Sequence, residues 1–276
     1  MRSRSCVRAL APRCAALALA AGLLAAATGL LLAPGHAQAD SVDEARATLE
    51  AEAQAGHSLV SLAANVGGSV SLDQAKDAWS QARQSAPWAA WGASYLGSDN
   101  EHVTAVRIHL TCPLPALAER TETYWSTVEA LGAEAATEPS TIRKALAASD
   151  LVSARCSFDD GYRPVDADQS PTTPAGALLE GQAVCSGYTR AFRDVCEAAG
   201  VPCVVVVSDD EAHAWNQINV NGAWYNVDVT WDDAQNTHDY FGLSDEDYET
   251  RTGFTSSEGQ GCFASLPLLA LTLRVR

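Results

Sequence analysis

The chain has 276 residues, of which 18 are lysine or arginine and 34 are aspartate or glutamate, giving a formal net charge of −16 at pH 7. So acidic a chain lacks the basic surface needed to bind nucleic acid or anionic lipid, and neither is expected as a partner. The length is enough for one good hydrophobic core and a smaller second module.

The first 39 residues have the pattern of an export signal. Four arginines lie within the first 13 residues, an apolar run follows at 14–33, and Ala37 and Ala39 frame a small-residue cleavage site. A permanent membrane anchor is the alternative, since an apolar run of about 20 residues can just span a bilayer. We expect cleavage, which makes the protein secreted or attached to the cell surface, with no stable membrane span.

The next part of the chain is rich in alanine, glutamate and glutamine and predicts a mainly helical region. Ser71 and Gln74 form a capping-box pattern ahead of a helix that runs to about Arg83. Residues 103–110 alternate apolar and polar positions in part and predict a strand. Further helices are expected at 114–131 and 141–148.

A helix is predicted at 184–199, where apolar residues recur at helical spacing until Gly200 and Pro202 end it. Cys185 then lies in the first turn, where free backbone N–H groups and the helix dipole favour a thiolate. Cys196 lies far from the start of the same helix, where neither free N–H groups nor the positive end of the dipole stabilise a thiolate. We interpret Cys196 as a small core residue or a disulfide partner.

The valine-rich segment 201–208 predicts a buried strand, and Asn221-Gly222 predicts a two-residue hairpin turn between the next two strands. If Val220 pairs with Ala223, then His213 faces Thr230 and Trp215 faces Asp228. Residues two apart on a strand share a face, so His213 and Asp228 become diagonal neighbours whose side chains can meet.

This register gives the hairpin one apolar and one largely polar face. The segregation supports the register, because a slip of one residue in one strand would mix polar and apolar residues on each face. The apolar face is formed by Ala214, Ile218, Val220, Tyr225, Val227 and Val229. The largely polar face is formed by His213, Trp215, Gln217, Asn219, Trp224, Asn226 and Asp228.

Cys185, His213 and Asp228 are the three groups that thiol catalysis requires. A thiol needs a base that accepts its proton and later returns it to a leaving amine, and the imidazole needs a carboxylate to fix its tautomer and steady its charge. Each residue alone has an ordinary structural explanation. The helix start and the hairpin diagonal are independent constraints that bring the three together.

The cysteine count leaves alternatives open. Six cysteines remain after residue 39, which in an oxidising compartment suggests three disulfides, but a free Cys185 would leave five. Zinc binding between Cys185 and His213 is disfavoured, because the spacing lacks the paired C-x2-C pattern of structural zinc sites. The pairing of Cys112, Cys156, Cys196, Cys203 and Cys262 is not predicted.

Other polar groups are less specific. His238, Asp232 and Asp233 could suggest a metal, but two aspartates after a strand are more often a loop cap, so no metal or cofactor is expected. Gln182 could polarise a substrate carbonyl. The backbone N–H of Cys185 is the better oxyanion donor, given its place at the helix start.

The sequence resembles the transglutaminase-like superfamily over 142–248. The matching blocks are GQAVCSGY at 181–188, AHAWN at 212–216, WYNVDVTWDD at 224–233 and HDYF at 238–241. The resemblance implies an α+β, papain-like core in which a catalytic helix packs on an antiparallel sheet. It also implies Cys185 as nucleophile, His213 as base and Asp228 as its orienting group.

Two features depart from that family. The tryptophan that animal transglutaminases place near the oxyanion has no counterpart, because no tryptophan lies between Trp125 and Trp215. The stretch 262–276 also shows no recognisable pattern. The expected organisation is an export signal (1–39), a mainly helical N-terminal region (40–140), a catalytic core (141–250) and a C-terminal tail (251–276).

The expected function is therefore acyl transfer through a Cys185 thioester, with a protein or peptide amide as substrate, cell-surface proteins included. An amine that resolves the thioester gives a cross-link, whereas water gives hydrolysis by a cysteine peptidase or amidase. The sequence does not choose between them. A catalytically silent cell-surface binding module is the alternative of a different class.

Overall fold

The computed structural model describes residues 34–62, 70–164 and 168–266, and its side chains from Ser41 onward. Most of the predicted export signal lies outside the described residues. Among the helices that are described, none is both long enough and apolar enough to cross a bilayer.

Helices and mostly antiparallel sheets form the α+β fold. The helices are α1 (Pro34–Gln54), α2 (Leu72–Ala82), α3 (Leu114–Ala136), α4 (Thr141–Ser153), α5 (Cys185–Ala198), α6 (Val229–Gln235) and α7 (Asp245–Thr252). The strands are β1 (Leu59–Ser61), β2 (Ala89–Gly97), β3 (Val103–Leu110), β4 (Ser157–Phe158), β5 (Gln182–Ala183), β6 (Cys203–Val207), β7 (Ala214–Val220), β8 (Ala223–Val227) and β9 (Phe241–Leu243).

The larger core lies between α5 and an antiparallel sheet of order β6-β7-β8-β9. Phe192 and Val195 of α5 belong to the same buried cluster as Ile218, Val220 and Val227 of the sheet. Helices α3 and α4 cover the other side of α5. This arrangement confirms the predicted core of a helix packed on an antiparallel sheet.

The hairpin of β7 and β8 has the predicted register over its length. Val220 pairs with Ala223, and the turn residues Asn221 and Gly222 have φ values of 55° and 91°, as a type I′ turn requires. The predicted pairing of His213 with Thr230 is wrong. The chain turns into α6 after β8, so Thr230 is helical and the ladder ends at Val227.

The N-terminal region contains more sheet than the sequence predicted. Helix α2, with its capping box, and strand β3 are confirmed, but β1 and β2 were missed. They flank β3 in an antiparallel sheet of order β1-β3-β2. Alanine and glycine supply five of the nine residues of β2, and neither favours strands, so its local signal is weak.

The C-terminal residues cover the polar face of the hairpin, which the sequence did not indicate. Trp215, Gln217 and Asn226 are all buried there. The indole of Trp215 and the amide of Gln217 both donate to Asn226, which donates in turn to Asp245 of α7. A buried polar network therefore joins α7 to the sheet.

A buried arginine joins α5 to the N-terminal region. The Arg190 guanidinium is 0% exposed and donates to the backbone carbonyls of Ala89 (2.8 Å), Ala86 (3.0 Å) and Arg83 (2.5 Å). These carbonyls lie in the segment that leads from α2 into β2, and those of Ala86 and Arg83 also accept from the backbone N–H groups of Ala89 and Ala86. Arg190 thus adds three buried hydrogen bonds that hold this irregular segment to α5.

Replacing Arg190 by methionine should destabilise the protein. Arg190→Met keeps much of the side-chain length but removes three buried hydrogen bonds made by a charged donor, so we expect the free energy of unfolding to fall by roughly 3 kcal/mol or more. Urea denaturation followed by circular dichroism measures it. The exposed Arg155 provides the control. Equal losses in Arg190→Met and Arg155→Met would contradict the role given to Arg190.

Candidate active site

Cys185 is the first residue of α5, as predicted. The N-cap residue Val184 provides no side-chain cap, and its own N–H donates to the Pro171 carbonyl at 2.9 Å. Within the described residues no acceptor lies in place for the Cys185 N–H. Gly187 lets the 171–173 segment approach closely, since a Cβ there would come within 2.6 Å of the Pro171 oxygen. The thiol is partly exposed.

His213 lies just before β7, and its backbone is held on both sides. Its N–H donates to the Ser208 hydroxyl at 3.0 Å, and its carbonyl accepts from the Ser208 N–H at 2.9 Å. Helix α5 is fixed to the same strand, because Thr189 donates to the Ala214 carbonyl and Asn216 donates to the Thr189 carbonyl. The position of Cys185 relative to His213 is therefore set by direct bonds between helix and strand.

Asp228 is 1% exposed and uses both carboxylate oxygens. Its Oδ2 lies 2.7 Å from His213 Nε2, and its Oδ1 accepts from the Trp231 N–H at 3.1 Å as the N-cap of α6. With Nε2 directed at Asp228, Nδ1 is the ring nitrogen left for Cys185. The structure thus brings all three predicted residues together.

The charge of His213 is set by two opposing effects. Burial alone would lower the pKa of the ring, but its hydrogen bonds to Asp228 and Cys185, with the negative charges of these groups, raise the pKa from 6.5 to about 10. A ring with this pKa is an imidazolium at neutral pH. Such a ring carries a positive charge and a proton that it can give to a neighbouring group.

Sequence reasoning missed two aromatic contacts to this site. Tyr248 of α7 donates its hydroxyl to Asp228 Oδ2 at 2.8 Å, and its ring stacks on Trp215 with centroids 4.7 Å apart. The Phe254 ring stacks on His213 with centroids 4.8 Å apart. Both residues follow Asp228 by 20 residues or more, and no local pattern marks them.

The other polar groups singled out from the sequence have separate partners. His238 lies 2.6 Å from Asp150 of α4, and Asp233 accepts from the Tyr188 hydroxyl at 2.6 Å. Asp232 accepts from the Tyr240 N–H at 2.8 Å, and burial raises the pKa of its carboxyl to about 8. Gln182, on β5, is exposed.

The remaining cysteines of the described chain are buried free thiols. Burial raises the pKa of Cys196 well above its usual range, and its thiol is hydrogen-bonded to that of Cys203. Cys156 contacts Tyr188, and its pKa is raised to about 12, mainly by burial. These environments disfavour a thiolate at Cys196 and at Cys156.

Comparison with known proteins identifies the class of this site. Residues 129–229 match the family model of the transglutaminase-like superfamily, and this segment contains Cys185, His213 and Asp228. The segment that holds the site is therefore similar to the transglutaminase-like superfamily.

Individual proteins resemble the chain over shorter or more divergent stretches. Kyphoscoliosis peptidase of Mus musculus is 32% identical over 23% of this chain and 12% of its own length, and the Homo sapiens protein is 31% identical over the same shares. The chain thus matches only about an eighth of these curated relatives.

Two solved structures are similar in part. One is a crystal structure of a TGase, with a TM-score of 0.35 and 15% identity over 51% of this chain and 44% of that chain. The other is the periplasmic domain of TgpA from Pseudomonas aeruginosa, with a TM-score of 0.32 and 17% identity over 49% and 57%.

Brief alkylation of the native protein should label Cys185 in preference to the other described cysteines. Cys185 is partly exposed, whereas the others, Cys112, Cys156, Cys196, Cys203 and Cys262, are at most 6% exposed. The test is a pulse of iodoacetamide, then denaturation, a heavy-isotope reagent and peptide mass mapping. Equal light label on any of the buried cysteines would contradict the exposures in this structure.

Removing the Asp228 carboxylate should abolish the unusual basicity of His213. In Asp228→Asn the ring stays buried but loses its main charged partner, so we expect its pKa to fall from about 10 towards 6.5. NMR of ring-labelled histidine follows the titration. Substitution of the exposed Asp77 by asparagine is the control. A His213 titration unchanged in Asp228→Asn would show that another group holds the proton.

The same shift links stability to pH. Because the folded-state pKa exceeds the unfolded value of 6.5, the protonated ring stabilises the fold fully below pH 6.5. That contribution is lost as the pH rises through about 10.

Proposed function

We propose that the protein is an exported, thiol-dependent acyl-transfer enzyme that acts on protein or peptide amides. The observation that carries this proposal is the arrangement of His213, whose Nε2 lies 2.7 Å from the buried Asp228 while Cys185, at a helix start, is near enough to raise the pKa of the ring. In this proposal Cys185 is the nucleophile, His213 the acid and base, and Asp228 the group that orients it.

In the first half-reaction the Cys185 thiolate attacks the carbonyl carbon of the amide. The C=O electron pair moves onto oxygen, where the Cys185 N–H, free of an acceptor in the described structure, can donate to the oxyanion. As the C–N bond breaks, His213 gives its Nδ1 proton to the leaving amine. The products are a Cys185 thioester and a neutral His213.

In the second half-reaction an amine or a water molecule attacks the thioester. Neutral His213 accepts the proton of the nucleophile, and the Cys185 thiolate leaves with its electron pair, which restores the ion pair. An amine gives a new amide, as in cross-linking. Water gives a carboxylate, as in peptidase or amidase chemistry.

Hydrolysis is the second candidate, supported by the name of the kyphoscoliosis peptidases that match part of the chain. A catalytically silent surface module is a third reading. The buried hydrogen bond between His213 and Asp228 argues against it, because a binding module has no use for a basic ring beside a thiol.

An assay that measures transamidation and cleavage together distinguishes these three candidate functions. The protein is offered a glutamine-rich protein and a fluorescent primary amine, and both amine incorporation and chain cleavage are measured. We expect incorporation, and we expect Cys185→Ala to reduce turnover by roughly a thousandfold or more, because it removes the nucleophile. The buried Cys112 provides the control, since Cys112→Ala alters packing only.

The outcomes differ for each alternative. Incorporation that survives Cys185→Ala would overturn the assignment. Cleavage without incorporation would favour the hydrolase. If iodoacetamide alkylates Cys185 no faster than it alkylates a model thiol, the cysteine is not activated and the silent module is favoured.

A further inference from the structure

Residues 245–254, which follow the segment matched by the family model, contact two of the three proposed catalytic residues. Tyr248 donates to Asp228 Oδ2, the same oxygen that His213 Nε2 approaches, and Phe254 stacks on the His213 ring at an interplanar angle of 24°. Tyr248 is 1% exposed. One short segment thus touches both the carboxylate and the imidazole from outside the matched core.

The segment is held firmly on both sides. Ser244 caps α7 by accepting from the Asp247 N–H at 3.1 Å. Asp245 accepts from Asn226 of the sheet at 2.8 Å and from the Cys262 N–H at 2.7 Å. After Phe254, the Thr255 carbonyl accepts from the Asp209 N–H at 2.9 Å. Such bonds keep Tyr248 and Phe254 in place relative to the sheet.

We propose that residues 245–254 form a positioning clamp for the Cys185–His213–Asp228 site. In this clamp Tyr248 governs how strongly Asp228 holds the His213 proton, and Phe254 keeps the His213 ring in its orientation. The proposal rests on the proposed function. Neither residue reaches the reacting atoms, so both act through His213 and Asp228.

Sharing one oxygen has a definite chemical consequence. Asp228 Oδ2 divides its accepting capacity between the Tyr248 hydroxyl and the His213 N–H. Without the hydroxyl, the imidazolium is the sole donor to that oxygen and is held more tightly. His213 then gives up its proton to a leaving amine less readily, although its charge is better stabilised.

Tyr248→Phe is the direct test, since it keeps the ring stacked on Trp215 and removes only the hydroxyl. We expect the His213 pKa, measured by NMR, to rise, and kcat to fall roughly tenfold or more, the worth of one hydrogen bond to a charged carboxylate, with KM unchanged. Tyr225→Phe, on the apolar face of β8, is the matched control. 3,5-Difluorotyrosine at position 248, a stronger donor, should lower the His213 pKa.

Several results would overturn the proposal. One is a His213 titration in Tyr248→Phe that matches Tyr225→Phe, even if activity or stability falls, since the residue would then be merely structural. Another is a shift in the same direction for both replacements at position 248. The titration is also measurable in Cys185→Ala, so failure of the proposed function, seen as an unreactive Cys185, is distinguished from failure of the clamp.

Discussion

The buried carboxylate of Asp228 is the constraint on which the arrangement of the site depends. A charged carboxylate that is 1% exposed has lost its hydration, so protein donors must replace the water. Asp228 receives them from three elements: the Trp231 N–H at the start of α6, the His213 ring before β7 and the Tyr248 hydroxyl of α7. The hydrogen bonds that stabilise the Asp228 charge therefore determine where α6 begins, how the His213 ring is oriented and where α7 packs.

The other half of the site depends on how α5 lies on β7. Thr189 and Asn216 exchange hydrogen bonds with the facing backbone, which fixes the helix along the strand that follows His213. Arg190, on the next position of the helix, turns to the N-terminal region and satisfies three of its carbonyls. The N-terminal region is thereby hydrogen-bonded to the helix that carries Cys185.

The sequence predicted those parts of the fold that local chemistry determines. Asn221-Gly222 and the alternating flanks determine the hairpin register, and Gly200 and Pro202 determine where α5 ends. What failed depended on contacts distant in the chain. Strand β2 has a weak local strand propensity and is held in place by its pairing with β3. Tyr248 reaches Asp228 only because α7 folds back over the sheet. Neither contact produces a recognisable pattern in the sequence of the segment that makes it.

Asp232 is a second buried carboxyl close to Asp228, and the two differ in their donors. The two carboxyls lie one turn apart at α6, and both are buried. Asp228 has three donors, whereas Asp232 has the Tyr240 N–H and a second oxygen without a partner among the described residues. Burial raises the pKa of the Asp232 carboxyl to about 8, which favours its neutral form more than an exposed aspartate would. The distribution of donors thus distinguishes two buried carboxyls of the same residue type.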